Sequence, residues 1–144
     1  MRGTLSSRLV PCLALLCMSC APGPSSGNTP QEMFEYLIER PVPSEVTNLQ
    51  GVGDTWQGYS IWLRFNATDD YMKSLITKGF TSVPCDNVQS DFALPEHYDR
   101  FDPPWMPVFT QCYEGEIAST WGNGYHILGI DDASHTVYFY GTAP

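Results

Sequence analysis

The chain has 144 residues, with 16 Asp and Glu against 7 Lys and Arg and a formal net charge of −9 at pH 7. That balance argues against nucleic-acid binding, which needs clustered cations to meet phosphate, and against docking on anionic lipid through a basic patch. A hydrophobic content of 42% and an aromatic content of 13% argue against wholesale disorder, and a chain of this size can bury one core without metals or many disulfides.

Arg2 and Arg8 precede an apolar run, Leu9 to Met18. The run is too short to span a bilayer as a helix and suits the core of an export signal. No later stretch reaches about 18 consecutive apolar residues, so no transmembrane helix is predicted. Cys17-Met18-Ser19-Cys20 resembles the lipobox of small bacterial envelope lipoproteins, with Cys17 where Leu is usual and Met18 larger than typical. The resemblance implies a signal peptide over 1–19, lipid attachment at Cys20 and tethering to a membrane of the cell envelope. Cleavage after Ala21, with small Ser19 and Ala21 before the cut, is the alternative and implies a soluble secreted protein. Residues 20–28, rich in Pro, Gly and Ser, read as a flexible tether, and 29–144 as a single globular domain. Removal before Cys20 takes two basic residues and no acid, so five basic residues remain against sixteen acidic ones, a net −11.

Cys12 and Cys17 leave with the signal, and Cys85 and Cys112 remain. An even pair in an oxidising compartment predicts a disulfide between them. The alternative is a reactive thiol, for which the nearest histidine in sequence is His97, twelve residues after Cys85.

In chain order, Thr29-Pro30-Gln31-Glu32 predicts a helix start with a capping box. Met33, Phe34, Leu37 and Ile38 then form an apolar stripe, ending near Arg40 before Pro41 and Pro43. Residues 45–50 read as a strand and 51–54 as a turn. Residues 58–66 alternate strictly: Tyr59, Ile61, Leu63 and Phe65 point one way, Ser60, Trp62, Arg64 and Asn66 the other, which predicts one buried and one wetter face. Thr68 caps a second helix with Asp69 and Asp70 at its positive end. Its inner stripe is Tyr71, Met72, Leu75 and Ile76, with Gly79 as terminator and Phe80 folding back on the last turn. Residues 81–110 carry Pro84, Pro95, Pro103, Pro104 and Pro107. So long a loop in a compact domain holds short helical turns or is functional. Three strands follow, over 112–118, 125–130 and 135–140, with Asn123-Gly124 as the signal of the first turn and 131–134 as the second. The order of elements predicts an α+β fold: an antiparallel sheet of five or six strands, two helices packed on one face and a long proline-rich segment.

Three constellations carry chemistry. Trp62 and Arg64 share a face with Tyr138 and Tyr140 of the last strand if those strands pair, giving a candidate binding surface for a protein or a glycan. The competing expectation is that the 81–110 segment covers this face, because Phe92, Phe101, Trp105 and Phe109 need somewhere to pack. Asp91, Glu96, Asp99 and Asp102, with His97 among them, offer hard oxygen ligands for calcium, though their spacing fits no EF-hand and a solvated acidic loop is the simpler explanation. His126, Asp131, Asp132 and His135 surround one hairpin and offer transition-metal ligands, though turns favour Asp and Ser for backbone reasons alone.

Gly-x-Ser-x-Gly, His-Glu-x-x-His and Gly-rich phosphate loops are absent, so no catalytic residue, metal ligand or cofactor is assigned. Asn66-Ala-Thr68 fits the N-glycosylation pattern, but Thr68 is better explained as a helix cap. The sequence therefore points to an exported, membrane-tethered envelope protein with a non-enzymatic binding or structural role. Two alternatives stay open: an inhibitor or immunity-type partner of a secreted protein, steered to a basic target by its charge, and a hydrolase of envelope polymers using a carboxylate pair.

Overall fold

The computed structural model describes residues 29–55, 57–119 and 122–144; the signal, the lipobox with Cys20 and the tether lie outside the described residues. Helix α1 (Pro30–Leu37) starts on the expected capping box: the Thr29 hydroxyl accepts from the Glu32 N–H, and the Glu32 carboxylate accepts from the Thr29 N–H at 2.8 Å. It stops at Leu37 rather than near Arg40. Pro41 has no N–H to bond the Leu37 carbonyl, so the helix cannot propagate that far.

Strands β1 (Val46–Asp54) and β2 (Tyr59–Ala67) follow, then helix α2 (Asp69–Ile76) and strand β3 (Phe80–Val83). The proline-rich segment holds a one-turn helix, α3 (Cys85–Val88), and two 3-10 turns at Gln89–Phe92 and Glu96–Tyr98. Strands β4 (Gln111–Ser119), β5 (Gly122–Asp131) and β6 (Thr136–Ala143) complete one six-stranded sheet in the order β1-β2-β6-β5-β4-β3, antiparallel throughout. This is the α+β class the sequence predicts.

Four local expectations fail for identifiable reasons. Residues 51–54 are not a turn; β1 runs through them, with Gly51 opposite Leu63 and Gly53 opposite Ile61. A Cβ on Gly51 would lie 2.5 Å from Leu63 Cδ2, so that glycine marks close packing inside a strand rather than a bend. Phe80 does not simply fold back on α2; it opens β3, whose pairing with β4 occupies the backbone of an edge that would otherwise stand bare. Asn123 and Gly124 sit in β5 opposite Ala118 and Ile117, and the connection at 120–121 lies outside the described residues. The wetter face expected of β2 is also covered, leaving only Ser60 and Asn66 partly exposed on that side.

The sheet therefore lies between two layers. On one side, Met33, Phe34 and Leu37 of α1 and Tyr71, Met72 and Leu75 of α2 pack on Ile61, Leu63, Phe65, Leu128, Ile130, Val137 and Phe139. On the other, Val88, Phe92 and Phe109 meet Cys112, Ile127 and Tyr138, while Phe101, Trp105 and Tyr98 meet Val52, Trp62 and Tyr140. Gly129 leaves the space in which the Phe109 ring lies against β5. Among the described residues, no helix is long and apolar enough to cross a membrane.

Candidate functional site

The predicted aromatic surface becomes an interior. Trp62 is 6% exposed, its ring tilted against Tyr140 at 4.9 Å and against Tyr98 at 5.7 Å. Tyr138 is 8% exposed and meets Trp105 and Phe109 in T-shaped contacts at 5.3 and 5.6 Å. Burial raises the Tyr138 phenol, and the neighbouring Arg64 charge works against that rise. Tyr140 remains partly exposed. The segment that covers these rings is held by side-chain to backbone bonds: Trp105 Nε1 donates to the Phe92 carbonyl at 2.8 Å, and the Gln50 amide both donates to the Asp102 carbonyl at 2.7 Å and accepts from the Asp102 N–H at 2.8 Å. A disulfide joins Cys85 and Cys112 at its ends, as expected, with their Cα atoms 5.1 Å apart.

Arg64 is the exception on this face. It is only 7% exposed, yet its guanidinium has no carboxylate partner among the described residues. Nη1 donates to the Pro104 carbonyl at 3.2 Å, Nη2 donates to Gln50 Oε1 at 3.1 Å, and the plane lies over the Phe101 ring at 5.2 Å. Two of its five N–H donors are thereby engaged. A buried charge without a counter-charge is costly, and here neutral acceptors and an aromatic ring offset part of that cost.

Beside Arg64 runs an open groove of about 500 Å³, bordered by Asn48, Gln50, Asn66, Asp102, Ser134, Thr136 and Tyr138. Its polar border is built by a bulge. The β1–β2 register shifts between Thr47 and Gln50, and Asn48 takes a positive φ of 49°, a conformation asparagine tolerates better than most residues. The bulge turns the Asn48 amide to donate to Asn66 Oδ1 at 3.0 Å, and Asn66 donates in turn to Thr136 Oγ1 at 3.0 Å and to the Ser134 carbonyl at 3.1 Å. Asn66 is thus a structural link across β1, β2 and β6, and Thr68 caps α2 by accepting from the Tyr71 N–H.

Two further hollows, of about 650 and 430 Å³, flank His135. Neither borders a buried charged side chain, which sets the Arg64 groove apart. The two histidines of the β5–β6 hairpin do not come together. His126 is fully buried on the helix side, opposite Gly141 and 2.9 Å from the Tyr59 hydroxyl, whereas exposed His135 pairs with Asp69 at 2.9 Å. Asp131 and Asp132 serve the turn and its neighbour: Asp131 accepts from the Ala133 N–H and the Ser134 hydroxyl, Asp132 from Thr110 and Gln111. Neither this set nor Asp91, Glu96, His97, Asp99 and Asp102 converges; among the described residues, no three His, Cys, Asp or Glu side chains are placed to hold a metal ion.

Gln50 and Asn48 were not legible as site residues. Their signal was the Gly51-x-Gly53 spacing, which reads as a turn until β1 is paired with β2. Comparison with known proteins found no match to any family model, curated protein or solved structure.

Proposed function

We propose that the chain is an exported protein of the cell envelope, tethered to a membrane by lipid on Cys20, with a non-enzymatic binding role exercised through the Arg64 groove on a protein or glycan. The observation that carries the binding role is the buried guanidinium of Arg64, free of any carboxylate partner among the described residues and bordering an open groove of amides and hydroxyls. A small number of well-placed polar groups in a concave site is the usual arrangement for fixing a ligand's orientation. Export is supported by Arg2, Arg8 and the apolar run before Cys20, and by the Cys85–Cys112 disulfide, which fits an oxidising compartment.

Membrane fractionation of the native host tests the tether. The wild-type protein is expected in the membrane fraction with residues 1–19 missing from its intact mass, and Cys20→Ser is expected in the soluble fraction. Unchanged membrane retention of Cys20→Ser, or persistence of residues 1–19, rejects the lipid anchor.

A second reading, an inhibitor or immunity-type partner, has one observation in its favour. In the extended stretch before β4, Trp105 and Phe109 turn inward while Met106 and Val108 stand 75% and 61% exposed. Exposed apolar side chains on an acidic molecule suit a basic secreted protein.

A further inference from the structure

We propose that the Arg64 groove is a carboxylate-binding site, in which the guanidinium receives the carboxylate of a small ligand and the neighbouring amides and hydroxyls receive the rest of it. This rests on the groove being a binding site, and it names the ligand chemistry. The protein withholds a counter-charge from Arg64 among the described residues. Sixteen Asp and Glu are available in the chain, yet among the described residues none ion-pairs with this 93%-buried cation. Instead it is held by neutral acceptors, Gln50 Oε1 and the Pro104 carbonyl, and by the Phe101 ring. These contacts fix the guanidinium in place and leave its full charge and three of its donors uncommitted. A preset planar fork of donors matches a carboxylate in a bidentate pair.

Around it, Asn48, Ser134 and Thr136 present the neutral donors and acceptors that hydroxyl or amide groups of a ligand require. The acidic surface does not forbid this. Solvent-exposed charges more than about 8 Å away are largely screened at physiological ionic strength, whereas the guanidinium contact is direct. Asp102 is the one acid bordering the groove, and its carboxylate competes with the ligand.

A carboxylate of this size comes either from a sugar acid or from a peptide C-terminus. The experiment therefore titrates the purified full-length protein with glucuronate against glucose, and with N-acetyl-alanyl-alanine against its C-terminal amide, with acetate and inorganic phosphate as minimal anions. Binding is read by calorimetry and by the Arg64 Nε–H resonance in heteronuclear NMR. At least one acid is expected to bind roughly tenfold or more tightly than its neutral counterpart, the scale of one lost charge-assisted pair, and to shift the Arg64 resonance. The acid that does so identifies the source. Arg64→Met, close in volume to the stem it replaces, is expected to abolish the preference, Arg64→Lys to weaken it for want of the fork, and Asp102→Asn to strengthen it. Equal binding of acids and neutral counterparts overturns the proposal. So does the absence of any acid binding below about 10 mM, a tighter complex with phosphate than with every carboxylate, or an acid preference that survives in Arg64→Met. Should Arg64→Met fail to fold, Arg64→Lys and the wild-type resonance decide. These readouts in solution are independent of whether Cys20 carries lipid, so a failed tether and a failed carboxylate site give different results.

Discussion

Trp62 sits on β2 where the alternation places a polar residue, and the structure explains it by burial between Val52, Tyr98, Phe101 and Tyr140. Its indole N–H has no hydrogen-bond partner among the described residues, so the ring contributes by buried area and tilted ring contacts alone. Trp62→Ala is therefore expected to destabilise the protein by about 3–5 kcal/mol in denaturant melts, the range for deleting a large buried aromatic. Trp62→Phe is expected to lose clearly less, because no hydrogen bond goes with the indole; an alanine variant as stable as wild type would mean the face is open in solution. His126 makes the opposite kind of statement. Burial between Tyr59 and Phe139 pushes its pKa down to about 4. The unfolded chain protonates near 6.5, so between those values the unfolded state binds more protons and folding loses stability as pH falls. The contribution is full above about pH 6.5 and amounts to roughly 3 kcal/mol lost by pH 4. Urea melts from pH 7 to 4 are expected to show a shallower decline for His126→Gln than for wild type, and parallel declines would reject the assignment.

The proline-rich segment is the element whose role changes most between sequence and structure. Its aromatic residues form a lid over β1, β2, β6 and β5, and beyond the end of β3 its regular pieces are single turns. Pairing of Val83 with Cys112 brings Cys85, two residues further on, beside its partner. The bridge spans a sequence separation of 27, and closing such a loop stabilises by roughly 3.5 kcal/mol in the chain-entropy model. Cys85→Ser combined with Cys112→Ser is expected to lower stability by that amount, and thiol labelling of the denatured, unreduced protein should find neither cysteine reactive. Quantitative labelling would show that packing alone holds the segment. The helices were legible because their signals are local: capping box, apolar stripe and terminating glycine lie within one or two turns. The extent of β1 was not, because Gly51 and Gly53 carry the same local signal in a turn as beneath a packed neighbour.

At the scale of the molecule, one sheet serves two interiors. Leu63 faces the helices while Trp62 and Arg64 on either side of it face the segment, and Phe139 and Tyr138 divide in the same way on β6. Neither layer can leave without exposing half of the same central strands. Far-UV circular dichroism and tryptophan fluorescence, to which Trp105 in the segment contributes, are therefore expected to report one coincident unfolding transition. A fluorescence change that precedes the loss of strand signal would make the segment a separate cooperative unit. By itself the sequence determined the α+β class, both helix starts, the alternation of β2, the Cys85–Cys112 pair and the expectation that aromatic residues of 81–110 need a surface, since each follows from spacing along the chain. Only the tertiary structure decided that this surface is the face carrying Trp62, Arg64, Tyr138 and Tyr140, and that the cover leaves a groove beside Arg64. That outcome depends on a bulge at Asn48, on the register of β1 against β2, and on Gln50 meeting the backbone of Asp102 across 52 positions of sequence. Contacts between residues so far apart are chosen by how whole layers fit, and no local pattern encodes that fit.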